Sequence, residues 1–245
     1  MNETPSAFDL EPRPAHLHPR AVPWQHALAW YEDAMRLFKR APATWIGLAI
    51  LTVMTELALK SVPGMGPLLS QLITPLVACG LVYAAAAVDG GSAPSIRHAV
   101  LAFRAPPHAI AAIIASALVA FVAEAFAAWW IADINLFAAG ASSTELSPAA
   151  VAGTLALGIL ASLPVMFVVF HVLFEQVRPA AAFSASWNAF VLNTIPLLVY
   201  SAASMVLLGF GIVTLGLGLA LALPLWAASS YAAWKDIFGI RDAPD

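Results

Sequence analysis

The chain has 245 residues, 61% of them hydrophobic and only 10% charged, with a formal charge of −3. Soluble domains average roughly 25% charged residues, so this composition excludes an ordinary soluble domain, and the lack of a dense basic tract excludes nucleic-acid binding. The run from Pro179 to Trp234 holds no Asp, Glu, Lys or Arg; as one helix, at about 1.5 Å per residue, it would be roughly 84 Å long, more than one bilayer crossing.

In chain order, residues 1–23 carry Pro5, Pro12, Pro14, Pro19 and Pro23 among several charges, with no apolar core for a cleavable signal peptide. They read as a disordered tail. His16 and His18 have no Cys or carboxylate at ligand spacing, so no metal site is expected. Residues 24–240 read as one all-α membrane domain, and 241–245 as a short C-terminal tail. Six apolar stretches, at 43–60, 66–88, 108–131, 149–174, 194–211 and 214–234, predict six transmembrane helices. Gly209, Gly211, Gly216 and Gly218 mark the break between the last two.

Lys and Arg fix the expected orientation. Arg13, Arg20, Arg36, Lys39, Arg40, Arg97, Arg104, Arg178, Lys235 and Arg241 flank one side, against Lys60 alone on the other. Both termini are therefore expected in the cytoplasm, and the 132–148 loop, with Asp133 and Glu145, outside. Trp129 and Trp130 are expected at the outer interface, Trp45 and Trp234 at the inner one.

A pattern recurs three times. Trp24, Leu28, Tyr31, Met35 and Phe38 line one face of a helix before the first span. Ile96, Val100 and Phe103 do so before the third span, and Phe183, Trp187 and Phe190 before the fifth. Each segment ends near a proline: Pro42, Pro106 with Pro107, and Pro196. The even-numbered spans carry kinking prolines Pro75, Pro164 and Pro224, then a ring at Tyr83, His171 and Tyr231, then a charge at Asp89, Glu175 and Lys235. The predicted unit is an interfacial amphipathic helix plus a helical hairpin, repeated at about 24–89, 94–175 and 179–238.

The runs LFKRAPATW, VPGMGPLLSQLITPL, SLPVMFVVFHVLF, RPAAAFSASWNAFVLNTIPLLVY and WKDIF resemble an uncharacterised family of bacterial inner-membrane proteins, the BPSS-type proteins, over residues 24–240. More loosely, the arrangement is similar to the membrane domain that accompanies some glycerophosphodiester phosphodiesterases, without their catalytic domain. The resemblance implies a six-span inner-membrane protein of Gram-negative bacteria. It brings no catalytic residues.

No HExxH, GxSxG or P-loop motif occurs, so neither an enzyme nor a cofactor is expected. Cys79 lies in apolar surroundings and reads as a buried thiol. Ionisable groups inside spans are functional candidates because each costs energy there. Glu56 lies four residues before Lys60, an ion-pair spacing. Glu124 has no cation on its own helix, and His171 lies one turn before Glu175. Gln71, Asn188 and Asn193 read as hydrogen-bonding contacts between helices. Three roles follow. The first is a non-enzymatic scaffold or accessory protein that binds membrane lipids, a membrane-protein partner or a second copy. The alternative is a transporter or channel for a small solute or ion, using Glu56 and Glu124. An intramembrane enzyme would have only the His171–Glu175 pair.

Overall fold

A computed structural model describes residues 16–132 and 147–240, and every regular element among them is helical. In order these are α1 (His26–Arg40), α2 (Pro42–Lys60), α3 (Gly66–Asp89), a 3-10 helix (Ile96–Arg104), α4 (Pro107–Ala132), α5 (Pro148–Ser162), a 3-10 turn (Leu163–Val165), α6 (Val168–Phe174), α7 (Pro179–Leu192), α8 (Thr194–Val213) and α9 (Leu219–Ile237). Prolines open α2, α4, α5 and α7, where the missing N–H costs no helical hydrogen bond. Ser95 caps the 3-10 helix by accepting from the Arg97 amide at 3.3 Å. The loop that carries Asp133 and Glu145, residues 1–15 and residues 241–245 lie outside the described residues.

Among the described residues, four helices are long and apolar enough to cross a membrane: Pro42–Lys60, Gly66–Asp89, Pro107–Ile131 and Thr194–Gly211. The pair Ala149–Val165 and Val168–Phe174, bent by 46° at a break just after Pro164, passes the same test together and makes a fifth if it is one broken span and not a re-entrant loop. Pro75 and Pro224, in contrast, sit inside continuous helices. The expectation of six apolar spans is thus met by four or five on length and composition. α9 differs because its last turns hold Ser229, Ser230, Tyr231, Lys235 and Asp236, and neighbouring helices bury most of it. A helix enclosed by protein has no need of a lipid-like surface.

The packing order is circular. α2 and α3 form a hairpin, as do α4 with α5 and α8 with α9. The 3-10 helix packs on α3, and α7 packs on α6 and the preceding turn. Each short helix thus covers the proline-bearing helix just before it in the chain. α1, which has no such predecessor, lies along α9 and closes the circle. The first membrane helix of each hairpin follows the same rule: α4 touches α3, α8 touches α5, and α2 touches α9.

Small residues allow this close covering. Ala27 and Ala34 of α1, Ala99 and Ala102 of the 3-10 helix, and Ala182, Ala185 and Ala189 of α7 are all buried. A Cβ on Gly80 would stand 2.6 Å from the Ala99 Cα, so α3 meets the 3-10 helix backbone to backbone. Gly80→Ala is therefore expected to cost about 1–3 kcal/mol by overpacking, read as a lower unfolding midpoint in mixed detergent micelles. Opposite the buried faces, Trp24, Leu28, Met35, Ile96, Val100, Phe103 and Trp187 remain exposed.

Two sequence expectations are corrected. Trp45 and Trp234 are fully buried in the core rather than at an interface, whereas Trp129 and Trp130 are exposed. Trp234 stacks on Phe170 at 5.3 Å, because the even-numbered spans converge there: Tyr83 meets Phe174 at 5.6 Å, Phe174 meets Tyr231 at 6.2 Å, and His171 meets Phe238 at 4.5 Å. The second correction concerns residues 16–23, read as part of the disordered tail. They lie as a strap across the charged end of the bundle. Val22 N–H donates to Asn193 Oδ1 at 2.8 Å, and Asn193 Nδ2 donates to the Arg20 carbonyl at 3.0 Å. Arg20 also reaches Asp236 Oδ1 at 2.6 Å. Fixed polar partners order this segment, which has little apolar surface to bury.

Candidate functional site

The helices enclose a partly open cavity of about 560 Å³, lined from α2, α3, α4, α5, α6, α8 and α9 and the turn at Pro164. Its position follows from the circular packing, since each hairpin contributes one wall. Pro75 lines it directly, while Leu163 and Val165 flank Pro164, and Leu223 flanks Pro224. Buried Cys79 also faces it.

Both glutamates carried by the apolar helices α2 and α4, Glu56 and Glu124, line this space. Glu56 on α2 accepts from Lys60 Nζ at 2.6 Å through Oε1 and from Ser70 Oγ at 2.9 Å through Oε2. Lys60 is half exposed, so the pair reaches from the cavity towards one mouth. Glu124 enters from α4 and rests over Gly158 of α5, where a Cβ would overlap its side chain. Gly158 thereby makes the notch that admits a carboxylate between two packed helices. Among the described residues, no hydrogen-bond donor meets Glu124. The cavity thus brings together two carboxyl groups, of which Glu56 is engaged by the half-exposed Lys60 from outside the lining.

The rest of the wall divides between hydroxyls and apolar surface. Thr52, Ser70, Ser116, Ser162 and Ser230 supply oxygens, while Ile113, Phe121, Ile159, Leu223 and Trp226 supply hydrocarbon and rings. Sequence reasoning singled out Glu56, Lys60 and Glu124 but not these hydroxyls or Gly158. Ser, Thr and Gly are common throughout membrane helices, and spacing along one helix does not say which helix faces which.

His171 and Glu175 lie apart from the cavity, at the charged end. His171 Nδ1 and Glu175 Oε2 are 2.6 Å apart, and both side chains are fully buried. The N-terminal strap completes their surroundings: the His16 amide donates to Glu175 Oε1 at 2.9 Å, and the His16 ring lies 3.2 Å from the same oxygen. Burial raises the Glu175 carboxyl, but hydrogen bonds from His171 and from His16 outweigh it and hold the group below its ordinary value. Asp236 is also enclosed by partners, with the His26 ring 2.7 Å from Oδ2 and hydrogen bonds from the Trp30 indole and Arg20. A second cavity of about 350 Å³ lies beside Asp236, where Arg20 sits on Asp236, Arg36 on Asp33 and Lys235 on Asp89. These groups form a structural end-plate, in which each of these cations already has a carboxylate. Asn193, expected only to join helices, instead holds the strap. Asn188 is exposed, and Gln71 lines the central cavity.

No group of three or more metal-ligating side chains occurs among the described residues. Comparison with protein-family models, with curated proteins and with solved structures gives no match for this chain.

Proposed function

We propose that this chain is a multi-pass protein of a bacterial inner membrane that binds a small solute or ion between its spans and passes it across, as a transporter or channel. Glu56 and Glu124 are its working carboxylates; on this reading it is not an enzyme and needs no cofactor. The observation that carries the reading is the cavity, which gathers both glutamates carried by the apolar helices α2 and α4. A charged group at the centre of a membrane helix costs on the order of 2.5–3.5 kcal/mol on insertion scales. A bundle with only a structural role has no need of a second carboxylate without a cation of its own.

The six-span arrangement belongs to this proposal, with α9 as the sixth crossing. Its 19 residues suffice for a span, and hairpin pairing with α8 returns the chain to the side where it began. The three-unit repeat is supported by the circular packing order. Cytoplasmic termini are supported by Arg20, Arg36, Lys39, Arg40, Arg97, Arg104, Arg178 and Lys235 flanking one end of the spans, against Lys60 at the other.

In proteoliposomes the protein is expected to carry methylammonium, and Glu124→Gln is expected to abolish that flux while the variant still elutes as a monodisperse peak. Flux unchanged in Glu124→Gln would remove the mechanism. A scaffold or accessory role, binding lipid or a membrane partner, is a second reading. It is favoured by the exposed Trp24, Leu28, Ile96, Phe103 and Trp187, which suit an interfacial collar. A partner recovered at one-to-one stoichiometry from native membranes would shift the weight to it.

A further inference from the structure

We infer that the central cavity takes an organic monocation: an apolar or aromatic body that ends in a protonated amine. This rests on the reading of the cavity as a binding site, and it names the ligand's chemistry.

Charge comes first. Glu56 and Glu124 face the cavity, and Lys60 neutralises one of them. The described walls therefore leave one carboxyl group, Glu124, without an ion-paired cation, and a single positive charge would balance its ionised form.

Hydrogen-bond polarity gives an independent reason. The Thr52 hydroxyl donates to the Leu48 carbonyl at 2.9 Å, Ser116 to Ala112 at 2.9 Å, Ser162 to Ile159 at 2.7 Å and Ser230 to Ala227 at 2.8 Å. Ser70 donates to Glu56. With their hydrogens committed, these hydroxyls can offer a ligand only oxygen lone pairs. Thr74, Gln71 and Trp226 are the lining groups that keep donors, so these committed hydroxyls and the two carboxylates leave the wall with an excess of acceptors, which suits the N–H groups of an ammonium better than an anion.

Size and surface describe the remainder of the ligand. A space of about 560 Å³ falls in the range of small-molecule pockets and far exceeds a bare ion. Phe121, Tyr200 and Trp226 add ring faces to the aliphatic wall. Rings of this kind accept a desolvated cation or stack on an aromatic body.

The test compares three probes that share one body: 3-phenylpropylammonium, 3-phenylpropanol and 3-phenylpropionate. Each is titrated into the full-length protein in nanodiscs, as wild type, Glu124→Gln and Lys60→Met. The ammonium is expected to bind at least tenfold more tightly than the other two. Glu124→Gln should weaken it at least tenfold, and Lys60→Met, which releases Glu56, should tighten it about threefold. That gain is an effect a misfolded variant would not give. Equal binding of all three probes, unchanged in Glu124→Gln, would overturn the cation assignment while leaving the cavity a binding site. Preference for the carboxylate, lost in Lys60→Met, would overturn it as well. Absence of binding by every probe to wild type would overturn both the assignment and the reading beneath it.

Discussion

Glu175→Ala is expected to be among the most damaging single substitutions, at about 3–5 kcal/mol, because it removes one partner from a fully buried charged site. It strips His171 Nδ1 of its contact and leaves the His16 amide without an acceptor. His171 Nε2 already has no partner among the described residues, so the ring would be left in an apolar enclosure with neither nitrogen engaged. The strap should detach with it. Unfolding in mixed micelles gives the stability loss, and hydrogen exchange at residues 16–23 reports the release. Acid should reproduce part of the effect in wild type. The folded-state value of Glu175 is depressed, so its contribution is complete above the ordinary carboxylate range and is lost as pH falls through the lowered value. Protection of the strap, taken relative to the intrinsic exchange rate at each pH, should therefore fall on acidification below the usual carboxylate range.

Trp30→Ala is expected to cost a similar amount, about 3–5 kcal/mol. Trp30 is 2% exposed and holds α1 against the rest of the bundle by three contacts. Its indole N–H donates to Asp236 Oδ2 at 2.9 Å, its ring meets Tyr200 edge-on at 5.9 Å, and its body belongs to the main buried core. The contact between α1 and α9 is where the circular packing closes, so loss of this side chain should open it there first. Proteolysis of the folded protein should then release the segment through residue 40 while the hairpin of α2 and α3 stays protected.

Much of this architecture is legible along the chain. The six apolar stretches become α2, α3, α4, the α5–α6 pair, α8 and α9, and the ring-bearing segments before them become α1, the 3-10 helix and α7. The Glu56–Lys60 and His171–Glu175 contacts are visible because both lie within one helical turn, where spacing predicts proximity. Contacts between distant segments are not legible in this way. Val22 and Asn193 lie 171 residues apart, and a proline-rich run held by backbone hydrogen bonds has the composition of a disordered one. Trp45 and Trp234 mislead for a related reason. Tryptophan near the end of a span suits an interface, but here the ends converge into a packed core. The cavity is a property of seven helices at once. Glu124 marks its depth in the sequence, while Gly158, Ser116 and Ser230 acquire meaning only when their helices face one another.

The central claim is that the spans enclose a polar cavity reached by water and solutes. Cysteine accessibility in native membranes tests it most directly, in a Cys79→Ala background with single cysteines at Ser116, Ser230 and Ala78 on the cavity wall and at Leu118 and Val119 on the outer surface. The account predicts that a small charged methanethiosulfonate reagent labels the three cavity positions and leaves the two outer ones in lipid unlabelled. Labelling at none of the cavity positions, with reagent reactive towards the same proteins in denaturant, would mean a closed, dry bundle and would contradict it.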